Sequence, residues 1–207
     1  ELYEAVLGLR AIRRGRVEVA GREVAANQPR SAMEAGAVGM PEDPIAHEVV
    51  PGLSVLQTLA LAGRLPRRGV RLDWSLAAQW ADELHETTHL SVAGLDRRVD
   101  RLSGGNIQRV FYARALARAS ELLVLAYPSR GLDIATVRNG LGLVRDRCAA
   151  GTGVLMISED IDELLATCDR IVVLCSGTVS ASVDAGSTNR RDIGELMLDA
   201  RETEDVA

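Results

Sequence analysis

LSGGNIQRVFYARALARASELLVLAYPSRGLD, residues 102–133, holds the reading that decides the fold. Ser103, Gly104, Gly105 and Asn106 open a helical stretch that the apolar spacing places at about Gln108 to Arg118. Glu121 to Ala126 is a nearly unbroken apolar run stopped by Pro128, the pattern of a strand buried on both faces of a parallel sheet. Downstream the same rhythm repeats. A helix is expected over about Ala135–Ala149, a strand over Val154–Ile157, a helix over about Asp160–Thr167 and a strand over Arg170–Leu174. Alternating strands and helices of this kind predict an α/β domain with a parallel sheet.

Upstream, Leu2, Val6, Leu7 and Leu9 give a short helix ending near Gly8 to Arg10. Gly15 to Gly21 alternates apolar and polar residues between glycines, as a short strand and turn would. Ala37–Met40 reads as a buried strand, with Pro41 and Pro44 as breakers. Ser54 is placed to cap a helix over Val55–Leu61, and a second helix is expected from about Trp74 to His85.

The whole chain of 207 residues suits one globular domain, with 47% hydrophobic and 26% charged residues. A net charge of −5 argues against a surface built to neutralise nucleic-acid phosphates. All 24 basic side chains are arginine. No run approaches the roughly 20 apolar residues of a membrane-spanning helix. The chain opens on Glu1 with nothing like a signal peptide, and reads as cut from something longer. Cys148, Cys168 and Cys175 form no C-x-x-C pair and read as reduced, buried thiols.

Paired glycines at a helix start let a ligand approach the backbone, where unbonded N–H groups carry partial positive charge; the Ser103 hydroxyl adds a donor. By itself this is equally a serine-capped helix after a glycine turn. The neighbouring residues extend the pattern. Leu102–Asn106 resembles the signature motif of ABC ATPases, and Gln108-Arg109 and Ala113–Leu116 resemble the helix that follows it there. Glu121–Ala126 with Pro128–Asp133 resembles the end of Walker B and the D-loop. Ile157–Glu163 and Cys168–Ile171 resemble the switch region and its strand. These four patterns occur in family order over nearly the whole chain.

The finer likeness is to the C-terminal half of the double-domain ATPases of simple-sugar and nucleoside importers. Pro41-Glu42-Asp43, Leu53-Ser54-Val55, Ser129–Asp133 and Asp192–Met197 each resemble that branch, and Ala126 with Glu159-Asp160 is closer to its nucleoside-type members. The resemblance implies a P-loop NTPase-like domain over 1–207. It would have a helical subdomain over about 48–105, a core over about 1–47 and 106–185, and a C-terminal tail over 186–207 that is acidic after Asp199. It also implies ATP shared with an N-terminal nucleotide-binding domain that holds the Mg2+, membrane permease subunits as partners, no nucleic acid, and a cytoplasmic, peripheral place on the inner face of the membrane. Ser103, Gly104, Gly105 and Asn106 would meet that ATP in trans. Glu42 would stand at the Q-loop position and Asp133 on the D-loop.

The G-x-x-x-x-G-K-[ST] loop that cradles a triphosphate is not in this sequence, which has no lysine to fill it. In the family, residues like Glu1-Leu2-Tyr3 follow that loop, so its feeding strand is expected to be missing too, leaving unpaired sheet edges. Where the family carries a magnesium-holding Asp and a catalytic Glu, this chain has Ala126 and Tyr127. Glu159 replaces the switch histidine, and Ile107 replaces a glutamine after Asn106. A non-hydrolytic site of its own is the expectation. The alternatives are a non-transport ABC-type regulatory or interaction domain and a zinc hydrolase built on His85-Glu86-Thr87-Thr88-His89. The latter needs both histidines on one helical face and a third ligand. Arginines at 13, 14 and 16, at 64, 67, 68 and 71, and at 97, 98 and 101 could touch lipid or a permease, or simply form solvated faces.

Overall fold

The computed structural model describes residues 1–62, 67–68, 71–88, 90, 92–118 and 120–198. Its helices are α1 (Leu2–Val6), α2 (Pro29–Glu34), α3 (Pro44–His47), α4 (Val55–Ala62), α5 (Trp74–Thr88), α6 (Gly104–Arg118), α7 (Ile134–Ala149), α8 (Ile161–Thr167) and α9 (Arg190–Leu198). The strands are β1 (Glu18–Val19), β2 (Arg22–Glu23), β3 (Ala37–Met40), β4 (Arg67–Arg68), β5 (Arg71–Leu72), β6 (Leu122–Ala126), β7 (Gly153–Ile157), β8 (Arg170–Cys175) and β9 (Thr178–Asp184). The chain forms two compact units, Glu1–Ile157 and Ser158–Ala207.

In the first unit β3, β6 and β7 make a parallel sheet in that order, with Met40 opposite Leu125 and Leu125 opposite Met156. Alternation along β6 serves both faces at once. Leu123 and Leu125 join Met40, Val110, Phe111 and Tyr112 in a core with α4, α5, α6 and α7. Val124 joins Leu7, Val19, Val24, Ala32 and Ala37 under α1, α2 and the β1–β2 hairpin. That two-sided burial is why the strand reads as one apolar run. Among the described residues β3 and β7 are the edges of this sheet.

Several elements begin or end differently from the expectation. Helix α6 starts at Gly104, because the Ser103 carbonyl already accepts the Ile107 N–H (3.0 Å). The glycines therefore sit in the first turn, where their poor helix propensity costs least. Helix α5 continues to Thr88, whose hydroxyl donates to the Leu84 carbonyl (2.7 Å) and tolerates the helical turn. Pro44 does not merely break a strand: it opens α3 at a position that needs no N–H, with Asp43 accepting from the Ala46 N–H (3.0 Å). Ser54 caps α4 reciprocally with Gln57, as the Leu-Ser-Val stretch suggested.

In the second unit β8 pairs antiparallel with β9 through the turn at Ser176-Gly177, so it stands in a hairpin instead of extending the parallel sheet. Ile171 and Val173 pack on Ile193 of α9, with Leu164, Leu165 and Leu196 around them. The expectation of buried cysteines fails. Cys148 is exposed in the last turn of α7, and Cys168 and Cys175 are half-buried. Residues 199–207 of the acidic tail lie outside the described residues.

Candidate functional site

Leu102 and Leu132, both partly buried against the α6 core, anchor two turns that meet at the start of α6. Between them Ser103 and Gly104 are exposed. Asn106 donates from Nδ2 to Ser103 Oγ (2.9 Å), fixing the hydroxyl within its own turn. A 15-residue helix leaves its first N–H groups without intrahelical acceptors and places about half a positive charge there. The corner is open, positively polarised and lined by glycine, which suits an anionic oxygen.

The turn after β6 packs directly behind it. A Cβ on Gly105 would stand 3.0 Å from the Gly131 carbonyl oxygen, so any side chain there presses on this turn. Gly131 itself has φ +74°. Asp133, the expected D-loop residue, caps α7 by accepting from the Thr136 N–H (2.9 Å) and hydroxyl (2.7 Å). It also accepts from Arg109 Nη2 of α6 at 2.5 Å. These hydrogen bonds, the Thr136 backbone N–H first, hold its carboxyl well below the usual range.

Glu42, expected at the Q-loop position, is exposed two residues past β3 and forms an ion pair with Arg130 of the turn after β6. The Arg130 guanidinium also lies 5.7 Å from the centre of the Tyr127 ring. Ala126 is buried at the end of β6, and Tyr127 follows at φ +52°, a conformation side chains rarely take. Neither side chain offers a carboxylate to a magnesium ion or a base to a water molecule. By contrast the Ser103–Asn106 corner has the donor set a phosphate needs.

Six residues past Glu42, the carboxylate of Glu48 is mostly buried. Glu48 accepts from Arg114 Nη2 at 2.6 Å, and the Arg114 guanidinium lies 4.6 Å from the Phe111 ring centre. Burial pushes the Glu48 carboxyl up, with Arg114 and then His47 opposing it. Burial also pushes the Tyr3 phenol up, helped by Glu48. Arg109, Arg114 and Arg130 entered the sequence reading only as members of family-like stretches and Glu48 not at all; their pairings were not foreseen, since Glu48 pairs across 66 positions and Glu42 across 88.

The second unit carries Glu159, which is exposed just before α8. Beside it Asp160 caps α8 by accepting from Asp162 and Glu163 N–H groups (3.0 and 3.1 Å), and Ser158 donates to the buried Glu163 carboxylate (2.7 Å). Burial raises the Glu163 carboxyl, opposed by Ser158. His85 and Glu86 are exposed in the last turn of α5, while His89 lies outside the described residues. Among the described residues no group of three His, Cys, Asp or Glu side chains could hold a metal ion. Arg16 and Arg98 pair with Glu18 (2.7 Å) and Asp100 (2.6 Å), and Arg64 lies outside the described residues. Ile107 is buried in the core, pointing its bulk away from the open corner.

The fold matches a dimeric ATP-binding cassette in a post-hydrolysis state with ADP and Pi, at TM-score 0.73 and 20% identity over 89% of this chain and 79% of that one. It also matches an ATP-binding subunit of an ABC transporter at TM-score 0.75, over 94% and 81% of the two chains, again at 20% identity. The chain has the fold of an ABC-type ATPase domain.

Its sequence is 32% identical over 203 residues to a putative ribose/galactose/methyl galactoside import ATP-binding protein of Agrobacterium fabrum, covering 95% of this chain and 40% of that protein. It is 33% identical to a glucose import ATP-binding protein of Haloferax volcanii over 95% and 37%, and 35% identical to a ribose import ATP-binding protein of Pseudomonas putida over 91% and 37%. The chain thus resembles ATP-binding proteins of sugar import and spans about two fifths of their length. No family model matches it. Among the described residues no helix is long and apolar enough to cross a membrane.

Proposed function

We propose that this chain is the second nucleotide-binding domain of an importer ATPase for simple sugars or nucleosides, and that it completes an ATP site held mainly by another domain. Ser103, Gly104, Gly105 and Asn106 meet the terminal phosphate of ATP bound to the N-terminal domain of the same or a sister ATPase, which also holds the Mg2+. The observation that carries this reading is the open start of α6, with Ser103 and Gly104 exposed and the helix aligned behind them. ATP supplies the γ-phosphate transfer, and this chain supplies donors already in place for its charge.

The chain's own site is non-hydrolytic. Ala126 and Tyr127 stand where a metal carboxylate and a base are needed, and Glu159 puts a negative charge at a position the family gives to histidine. Closure of the two domains is passed to membrane permease subunits from the segment around Glu42, and the protein works at the cytoplasmic face of the membrane. Folding Asp133 into the α7 cap and the Arg109 pair keeps the turn that faces the partner domain in one conformation.

The test is Ser103→Arg in the full-length transporter. Ser103 is exposed, so the fold tolerates the change, whereas the guanidinium fills the space a phosphate needs. ATPase turnover is expected to fall about a hundredfold or more. Turnover equal to that of the unaltered protein would refute the role.

A further inference from the structure

Glu42 and Arg130 lie on the loops that leave neighbouring parallel strands, β3 and β6, and their pairing closes the C-terminal rim of the sheet between them. Arg130 is held from two sides, by the Glu42 carboxylate and by the Tyr127 ring 5.7 Å away. The next residue is Gly131, whose carbonyl oxygen is the atom against Gly105. Two residues further on, Asp133 grips Arg109 of α6 at 2.5 Å. The loop after β3 is thus linked, through one ion pair and one short turn, to the two places where that turn touches the start of α6.

We propose that Glu42 is a positioning residue for the signature turn: its pair with Arg130 sets where the 129–133 turn stands, and so where Ser103–Asn106 is presented. This rests on the reading above, in which that corner meets a nucleotide. The side chains of Glu42 and Arg130 are 50% and 64% exposed, so their pairing contributes little to stability. That suits a link that must be broken and remade when the loop moves. It also means that altering either residue leaves the fold standing. Pairing of Glu48 with Arg114 is the contrasting case: it lies in the interior and fixes the far end of the same loop to the middle of α6. The loop is therefore pinned at Glu48 and adjustable at Glu42. A displacement at its exposed end reaches the signature turn by way of Arg130.

The experiment uses the full-length ATPase assembled with its permease. It compares Glu42→Arg, Arg130→Glu and the double exchange, with Ser103→Arg alongside. Each single reversal is expected to lower kcat for ATP about tenfold while KM stays within about twofold, since the nucleotide is held elsewhere. The double exchange restores the pair with its charges swapped and is expected to return kcat to within about threefold of the unaltered protein. Thermal midpoints should not move in any of the three. Single reversals with full turnover, or a double exchange no faster than its slower parent, would overturn the inference. If Ser103→Arg abolishes turnover while the Glu42 series is silent, this inference alone fails; if Ser103→Arg is silent as well, the composite-site reading fails first.

Discussion

Arg114 is the residue whose charge the interior can least do without. It serves Glu48 at 2.6 Å and lies over Phe111, and burial pulls its own proton affinity down while Glu48 and Tyr3 oppose that. Removing one partner of a buried pair leaves the other charge uncompensated, at a cost of about 3 kcal/mol. Arg114→Met should therefore destabilise the chain by about that amount at pH 7. The pH dependence has a definite sign. The folded state raises the Glu48 carboxyl above its ordinary value, so it binds that proton more tightly than the unfolded chain does. Stability from this group is full below about pH 4 and is lost as pH rises through the raised value. Loss of Arg114 raises it further, so the deficit of Arg114→Met measured by urea unfolding should be larger at pH 7 than at pH 4.5. An equal deficit at both would show that Arg114 acts by packing alone.

Such residues carry little signal in the sequence. Ser103, Gly104 and Gly105 could be named because their chemistry is local and contiguous. Ala126, Tyr127 and Glu159 could be named because they break a pattern. The pairings of Arg130 and Glu48 could not, because their partners lie 88 and 66 positions away and an arginine-rich chain offers many equivalent choices.

Among the elements, those whose burial is two-sided or strongly periodic were legible. β3 falls where its apolar run places it, and β6 and β7 within one residue. α2 and α9 were missed because Pro29–Glu34 buries a single alanine and Arg190–Leu198 a single isoleucine, too little for a periodic stripe. Strand β9, Thr178–Asp184, mixes serine and aspartate with its apolar residues, and the sequence reading made no assignment there. Helix packing makes a sharper point at Gly140 of α7. A Cβ there would overlap the Tyr112 ring of α6 and stand 3.1 Å from the phenol oxygen. Alanine is worth nearly 1 kcal/mol in a helix over glycine, yet overpacking a core contact costs about 1–3 kcal/mol. Gly140→Ala is expected to destabilise by about 1 kcal/mol net, read as a lower urea midpoint with unchanged slope. A stabilised variant would mean that α6 and α7 can slide apart at no cost.

At the scale of the molecule, the first unit is built on a three-stranded parallel sheet with helices on both faces, and the loops leaving the C-terminal ends of β3 and β6 carry Glu42, Arg130 and Asp133. Sequence alone supported the α/β class and the ABC likeness, while the division into Glu1–Ile157 and Ser158–Ala207 came only with the structure. That boundary has no composition shift or proline-rich linker to mark it. What the rim offers is one half of a contact: exposed Ser103 and Gly104 on a helix start, with no metal carboxylate at Ala126 or Tyr127 beneath. On the proposed reading this surface meets a nucleotide carried by another domain. The direct measurement is the affinity of this chain for a domain with a complete phosphate loop, by sedimentation equilibrium, with and without ATP and with hydrolysis blocked in that domain. The account predicts that ATP tightens association at least about tenfold and that Ser103→Arg removes the gain. Association indifferent to ATP, or an ATP effect that survives Ser103→Arg, would contradict it.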